Sequence, residues 1–309
     1  MRLGDITGRL PAVNRPLGVA LGLLTDRFTV EPPNEFHPVA WFGTAMGEVE
    51  AAVWSDRREA GVLYTAVGVA IGAVAGQRVK SLSTVVSVAV AGGELRRTAR
   101  HVTQALESGD VDLARERLPA LVGRDPSQLD ESAISAAVIE SVAENCVDAV
   151  FAPAFWALVA GAPGAAAYRA INTMDAMVGH HSERYEHFGW AAARLDDMAN
   201  WVPARLFALC VAAQQPKRFV QIARLIRRDA GAHPSPNAGV AETAMAGAID
   251  RQLGGPLRYG DRLEHRPRLG DGARPQPADV DRAVRIADRA EWAVTALLIS
   301  AGVFRLRRR

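Results

Sequence analysis

Lysine and cysteine are almost absent from this sequence. Among its 36 basic residues only Lys80 and Lys217 are lysines, and neither follows a glycine-rich run. A Walker-type phosphate loop needs a lysine in that setting, so such a nucleotide site is excluded. Two cysteines, Cys146 and Cys210, exclude a disulfide framework and a CxxC metal site. Aromatic residues are sparse, at 6%. The 36 basic residues are balanced by 34 acidic ones, a net charge of +2, so no overall field points to nucleic acid. β-branched runs alternating with polar residues are scarce, so no sheet is expected. No repeat is visible, and no signal peptide is expected, because a basic stretch followed by a long apolar one and a cleavage site is missing.

What remains is an apolar chain. Of 309 residues 49% are hydrophobic and 23% charged, which suits a packed core. The mean hydropathy of +0.01 lies between that of a soluble enzyme and that of a polytopic membrane protein. Apolar helix candidates cover 16–25, 61–76, 82–93, 149–167, 206–213 and 293–304. A spanning helix wants about 20 apolar residues; only 149–167 approaches that, and 61–76 falls just under. Buried core helices of a soluble all-α protein are one reading. The other is a membrane protein. Its support is the Gly/Ala richness of the segments, a helical hairpin over 61–93 flanked by Arg57, Arg58, Arg96, Arg97 and Arg100, and the terminal Arg305 and Arg307–Arg309. Positive-inside logic places those flanks in the cytoplasm, whereas Arg78 and Lys80 in the hairpin turn oppose that topology. Between the apolar segments, 94–148 reads as amphipathic helix broken at 109–110 and 123–126. Residues 168–205 are polar, 217–228 a basic helix and 240–249 a small-residue helix. The Pro/Gly/Arg-rich stretch 254–277 reads as a disordered loop or a lid.

Four constellations carry chemistry. Glu140, Glu144 and Asp148 fall at i, i+4 and i+8, one stripe of a helix. Their mutual repulsion asks for a cation, and Mg²⁺ suits hard oxygen ligands; a solvated helix face is the alternative. In Arg194-Leu-Asp-Asp-Met-Ala-Asn200, Asp196 and Asn200 share a face and Asp197 points elsewhere. This pattern serves either Mg²⁺ beside phosphates or a helix start. Around 172–187, His180 and His181 are adjacent and no HExxH is present, which disfavours zinc. Asn172, Asp175 and Arg184 read there as substrate and phosphate positioning. In His233-Pro-Ser-Pro-Asn237, Ser235 or Asn237 can cap the next helix, and free N–H groups at such an end would bind an anion.

These strings resemble the adenosylcobinamide-phosphate synthase (CobD/CbiB) family of cobalamin biosynthesis. The resemblance runs through Asp26 and His37-Pro-Val39 with Gly43; Leu121-Val-Gly-Arg124-Asp125; Glu140-Ser-Val-Ala-Glu144-Asn145 with Asp148; Tyr168-Arg-Ala-Ile-Asn172-Thr-Met-Asp175; Glu183-Arg184-Tyr185; Ala193-Arg194-Leu-Asp196-Asp197 with Asn200 and Arg205; His233–Asn237; and Leu253-Gly-Gly-Pro256. They come in the family's order over most of the chain, with departures at Cys146 and Ala149. The resemblance implies an all-α, multi-pass inner-membrane protein, one domain over 1–309, with its active site on the cytoplasmic face. It implies ATP-dependent ligation of adenosylcobyric acid, a corrinoid, to (R)-1-amino-2-propanol O-phosphate, and contact with other cobalamin-biosynthesis enzymes. A regulatory membrane protein of the related β-lactamase-induction modulator type is the rival.

The expected site follows. Glu140, Glu144, Asp196 and Asp197 hold Mg²⁺. Arg184, Arg194 and Arg205 neutralise the transferred phosphoryl group. Ser235 to Asn237 binds an anion. Asp175 or His37 accepts the ammonium proton. Asp148 belongs to the catalytic stripe, and Arg124, Asn145, Asn172, Asn200, His233 and Glu242 contact substrate.

Overall fold

A computed structural model describes residues 14–259 and 262–308. Twelve α-helices dominate the described residues: α1 (Arg15–Phe28), α2 (Pro38–Val53), α3 (Arg58–Arg78), α4 (Leu82–Ala89), α5 (Gly92–Glu107), α6 (Val111–Arg117), α7 (Glu131–Cys146), α8 (Ala152–Val178), α9 (Trp190–Ala213), α10 (Phe219–Asp229), α11 (Ala238–Ile249) and α12 (Pro277–Arg307). Their starts are written locally. Asn14, His37, Ser81, Asp110 and Asp130 each accept a hydrogen bond from the first turn that follows, which satisfies donors the helix itself leaves free.

Two helices form the middle of the core. Every residue of α7 from Ile134 to Ala143 is buried, and all of α11 is buried. A helix apolar on every side has no solvent face. Glu140 on α7 and Glu242 on α11 therefore sit inside the protein, at 5% and 6% exposure.

Two helical stretches are long and apolar enough to cross a membrane, α3 and the run Glu131–Val178. The second is interrupted twice. Val147–Phe151 forms a π-turn, and Gly161 has φ +71°. Pro163 cannot donate to Val159, and Arg15 Nη1 supplies that carbonyl instead at 2.7 Å, with Leu158 O at 3.1 Å. The stretch 16–25 falls in a helix of 14 residues, and 82–93 divides between α4, of 8 residues, and the start of α5; at ~1.5 Å per residue α1 and α4 are far short of a ~30 Å hydrocarbon core.

The expected hairpin over 61–93 does not form as a packed pair. α3 lies mainly along α8, and α4 against α1 and α8. The reason is a glycine stripe on α3. A Cβ at Gly72 or Gly76 would stand 2.9 Å from Ala166 O or 2.5 Å from Ala162 O, so α8 takes that face. The chain breaks after α4, where Arg169 Nε donates to Ala89 O at 2.6 Å and Asp26 Oδ2 accepts from Gly93 N at 2.9 Å.

A second correction concerns 254–277, expected as loop. Leu253–Tyr259 (β1) and Arg262–Leu269 (β2) pair antiparallel. The strands carry Arg, Pro and Gly rather than alternating apolar residues, so their pattern gives no strand signal. Gly254 and Gly255 have positive φ; a Cβ on Gly254 would meet Pro267 O at 1.9 Å.

Candidate functional site: two cavities sharing one acidic wall

The end of α7 and the π-turn after it form a partition. On one side lies a cavity of 120 Å³, lined by Glu144, Asp148, Asp175, Asp196 and Asp197 with Asn200, Asn237 and Ser235. On the other lies a cavity of 270 Å³, lined by Arg124, Glu140, Glu144, His233, Glu242 and Arg266 with Asn145 and the backbone of Gly123 and Gly254. Glu144 and Asp148 line both. The helical stripe thus places its last two carboxylates where both spaces meet, with α8, α9 and α11 bringing the rest.

The smaller cavity is built from acids held by amides. Asn200 Nδ2 donates to Asp196 Oδ2 at 2.9 Å, and Asn172 Nδ2 to Asp196 Oδ1 at 3.4 Å. Asn172 is itself held by Arg169 Nη1 at 3.0 Å. The Tyr168 hydroxyl donates to Asn200 Oδ1 at 2.8 Å and stands 3.4 Å from Asp148 Oδ1. Burial, then the charge of Asp148, pushes the Asp196 carboxyl up to about 8, against the pull of the Asn200 and Asn172 hydrogen bonds. Burial also raises Asp197, partly offset by Arg194. Such a wall lacks positive charge and asks for a cation. Its donors are hard oxygens, the chemistry Mg²⁺ prefers. Among the described residues no three His, Cys, Asp or Glu side chains are arranged to hold a metal ion as they stand. A cation here requires the acids to close around it.

The larger cavity mixes signs. Arg124 Nη2 pairs with Glu140 Oε2 at 2.7 Å, and Gly254 N donates to Glu140 Oε1 at 2.8 Å. Arg266 Nη1 lies 2.9 Å from His233 Nε2, which stands 3.8 Å from Glu242 Oε1. Burial, then Glu140 and Glu144, holds the Glu242 carboxyl well above the usual range. Ser141 Oγ donates to Leu121 O at 2.9 Å and Asn145 Nδ2 to Ser141 Oγ at 2.9 Å, tying the 121–124 segment to α7.

Several expected site residues stand elsewhere. Both Glu140 oxygens are taken, so it is a structural ion-pair partner rather than a free metal ligand beside Asp196 and Asp197. Asp197, expected to point away, lines the acidic cavity with Asp196. Arg184 is exposed, pairs with Glu50 at 3.0 Å and stacks on Trp54. Arg194 is exposed and 3.8 Å from Asp197, at the rim. Arg205 binds Asn237 Oδ1 and Pro236 O. The arginines that line a cavity here are Arg124 and Arg266. His37 caps α2 through Val39 N at 3.2 Å and lines neither cavity. Ser235 Oγ already accepts from Asn237 N and Ala238 N, and Asn237 O accepts from Val240 N and Ala241 N. Those N–H groups are spent on capping, which removes the basis for an anion site at this turn. His181 and His187 pair with Glu186 and Asp56 at the surface, and His180 packs on Tyr185.

One contributor escaped the sequence reading: Arg266 lies in the stretch read as loop. Tyr168, Arg169 and Gly254 fall within strings that carried the resemblance, Tyr168–Asp175 and Leu253–Pro256, without being singled out as site residues.

The fold and cavities define a predominantly helical protein with two adjoining, carboxylate-lined cavities. A model of the CobD/CbiB protein family matches residues 19–287. The chain is 45% identical to the cobalamin biosynthesis protein CobD of Mycobacterium tuberculosis (strain ATCC 25618 / H37Rv), covering 95% of this chain and 97% of that one. It is 42% identical to the protein of that name from Chromobacterium violaceum, covering 94% and 98%. It is 48% identical to the one from Rhodobacter capsulatus over 64% and 63% of the two chains. No solved structure matches. The chain belongs to the CobD/CbiB family.

Proposed function

We propose that this protein acts in cobalamin biosynthesis as an ATP-dependent ligase of the cell membrane. It joins adenosylcobyric acid to (R)-1-amino-2-propanol O-phosphate and forms adenosylcobinamide phosphate. The observation that carries this reading is the pair of adjoining cavities sharing Glu144 and Asp148. One is lined by five carboxylates and no cation and the other presents guanidinium groups, which suits a reaction that brings an amine and phosphate groups together. The names of the relatives support the pathway.

A carboxylate is a poor electrophile, so ATP first phosphorylates it and ADP leaves. The amine then attacks the acyl phosphate, the amide forms and phosphate departs. Arg124 and Arg266, which line the larger cavity, would face the phosphate oxygens. Glu144 with Asp196 or Asp197 would hold Mg²⁺, which supplies charge neutralisation at the phosphates. The acids of the smaller cavity attract the ammonium group, and Asp175 accepts the proton the amine must lose. The membrane assignment is supported by the two apolar helical stretches, and the need for ATP points to a cytoplasmic face.

The test is a product assay on detergent-purified protein with adenosylcobyric acid, aminopropanol phosphate and Mg-ATP, read by mass spectrometry. The amide is expected, and it vanishes when ATP is omitted. Folded protein that forms no amide overturns the reading.

A further inference from the structure

A third cavity, of 490 Å³, lies on the far side of α8 from the acids, between α2, α3 and α4. Trp41, Phe42, Ile71, Val79, Val85 and Val88 give its walls their character, and Arg169 is the one charged residue lining it among the described residues. It exists because the glycine stripe draws α3 to α8 and leaves α3 and α4 apart. Apolar side chains at its mouth are open: Trp41 is 56% exposed and Val79 41%. An apolar groove this size, open on a helix long enough to span a bilayer, takes an aliphatic chain.

The charges around the mouth select the headgroup. Arg78 and Lys80 flank Val79, are exposed, and form no ion pair among the described residues. No acidic residue occurs between Glu59 and Glu94. Two exposed cations beside a slot for an aliphatic chain are complementary to an anionic phospholipid. We infer that the groove between α2, α3, α4 and α8 binds one acyl chain of an anionic bilayer phospholipid, with Arg78 and Lys80 on its phosphate. The inference rests on the membrane reading above but not on the ligase reaction.

The experiment is native mass spectrometry of the full chain released from nanodiscs of phosphatidylglycerol or phosphatidylcholine. Wild-type protein is expected to retain phosphatidylglycerol in preference. Each cation near the surface is worth roughly fivefold, so R78Q/K80Q, two exposed changes that leave the fold intact, should weaken retention by about thirtyfold. Val88→Trp fills the groove and should abolish retention at an unchanged melting temperature. Equal retention of the two lipids overturns the inference, as does retention indifferent to R78Q/K80Q. Displacement of the lipid by adenosylcobyric acid would assign the groove to the corrinoid and overturn it too. Recovery of the chain in an aqueous supernatant without detergent would sink the membrane reading with it, whereas a detergent-dependent chain holding no lipid sinks this inference alone.

Discussion

Glu140 and Glu144 lie one helical turn apart and do different things. Glu140 spends both oxygens on Arg124 and Gly254. Glu144 opens onto both cavities. Glu144→Gln should lower turnover by about 10²-fold or more with an unchanged melting temperature. Glu140→Gln should instead lower the melting temperature, because it removes the charge partner of a buried guanidinium, at a cost of about 3–5 kcal/mol. Parallel activity assays and thermal melts separate the two. Wild-type activity with unchanged Mg²⁺ dependence in Glu144→Gln would remove it from the site.

Asp196 makes stability depend on pH. Its carboxyl titrates at about 8 in the fold against an ordinary 3.8. The folded state therefore holds a proton that the unfolded state has released. That contribution is complete below pH 3.8 and is lost as pH rises towards 8. The melting temperature should fall from pH 6 to pH 8.5, and Asp196→Asn should flatten the curve. A wild-type curve as flat as that of the variant would show that Asp196 carries an ordinary carboxylate.

At the scale of elements, the break in α8 is the informative one. Pro163 removes the donor that Val159 O would have had, and Arg15 from α1 replaces it. Arg15→Met should cost about 0.5–1.5 kcal/mol, the net worth of a hydrogen bond to an exposed carbonyl. Urea melts of the detergent-solubilised protein would measure it, and no change would mean water serves the carbonyl as well. Some element limits were legible in the chain, such as the breaks at 109–110 and 123–126 and the helix over 240–249, because Pro/Gly breaks are local; others were not, since 206–213 and 293–304 are only the ends of α9 and α12. The hairpin β1–β2 was not. Its strands are stabilised by Arg274 Nη1 on Gly254 O and by Gly254 N on Glu140, contacts with residues distant in sequence that leave no periodicity behind.

At the scale of the whole molecule, α12 ties the chain together. Asn14 Nδ2 donates to Gly302 O at 2.8 Å. Glu291, 2% exposed, is paired by Arg96 from α5 and by Arg27 from α1 at 3.4 Å. Asp288 adds a contact to Arg27 at 2.5 Å. Removing one member strands the others in a low dielectric. Glu291→Ala should therefore destabilise by about 3–5 kcal/mol, seen as early thermal unfolding of the intact protein. A smaller loss than a typical surface substitution gives would show the network to be hydrated.

The order of helices, the acidic stripe 140–148, the Asp196–Asn200 pair and the family are properties of the sequence by itself, since spacing along a helix sets which residues share a face. Which acids are free was decided only in three dimensions. Glu140 and Glu144 are alike in the sequence, and only the arrival of Arg124 and Gly254 makes one structural. Arg184 and Arg205 carry the same charge as Arg124 and Arg266, yet Glu50 and the 236–237 turn hold the first pair outside the cavities. A charge acts on what lies within a few ångströms of it, and that neighbourhood is set by packing between segments far apart in the chain.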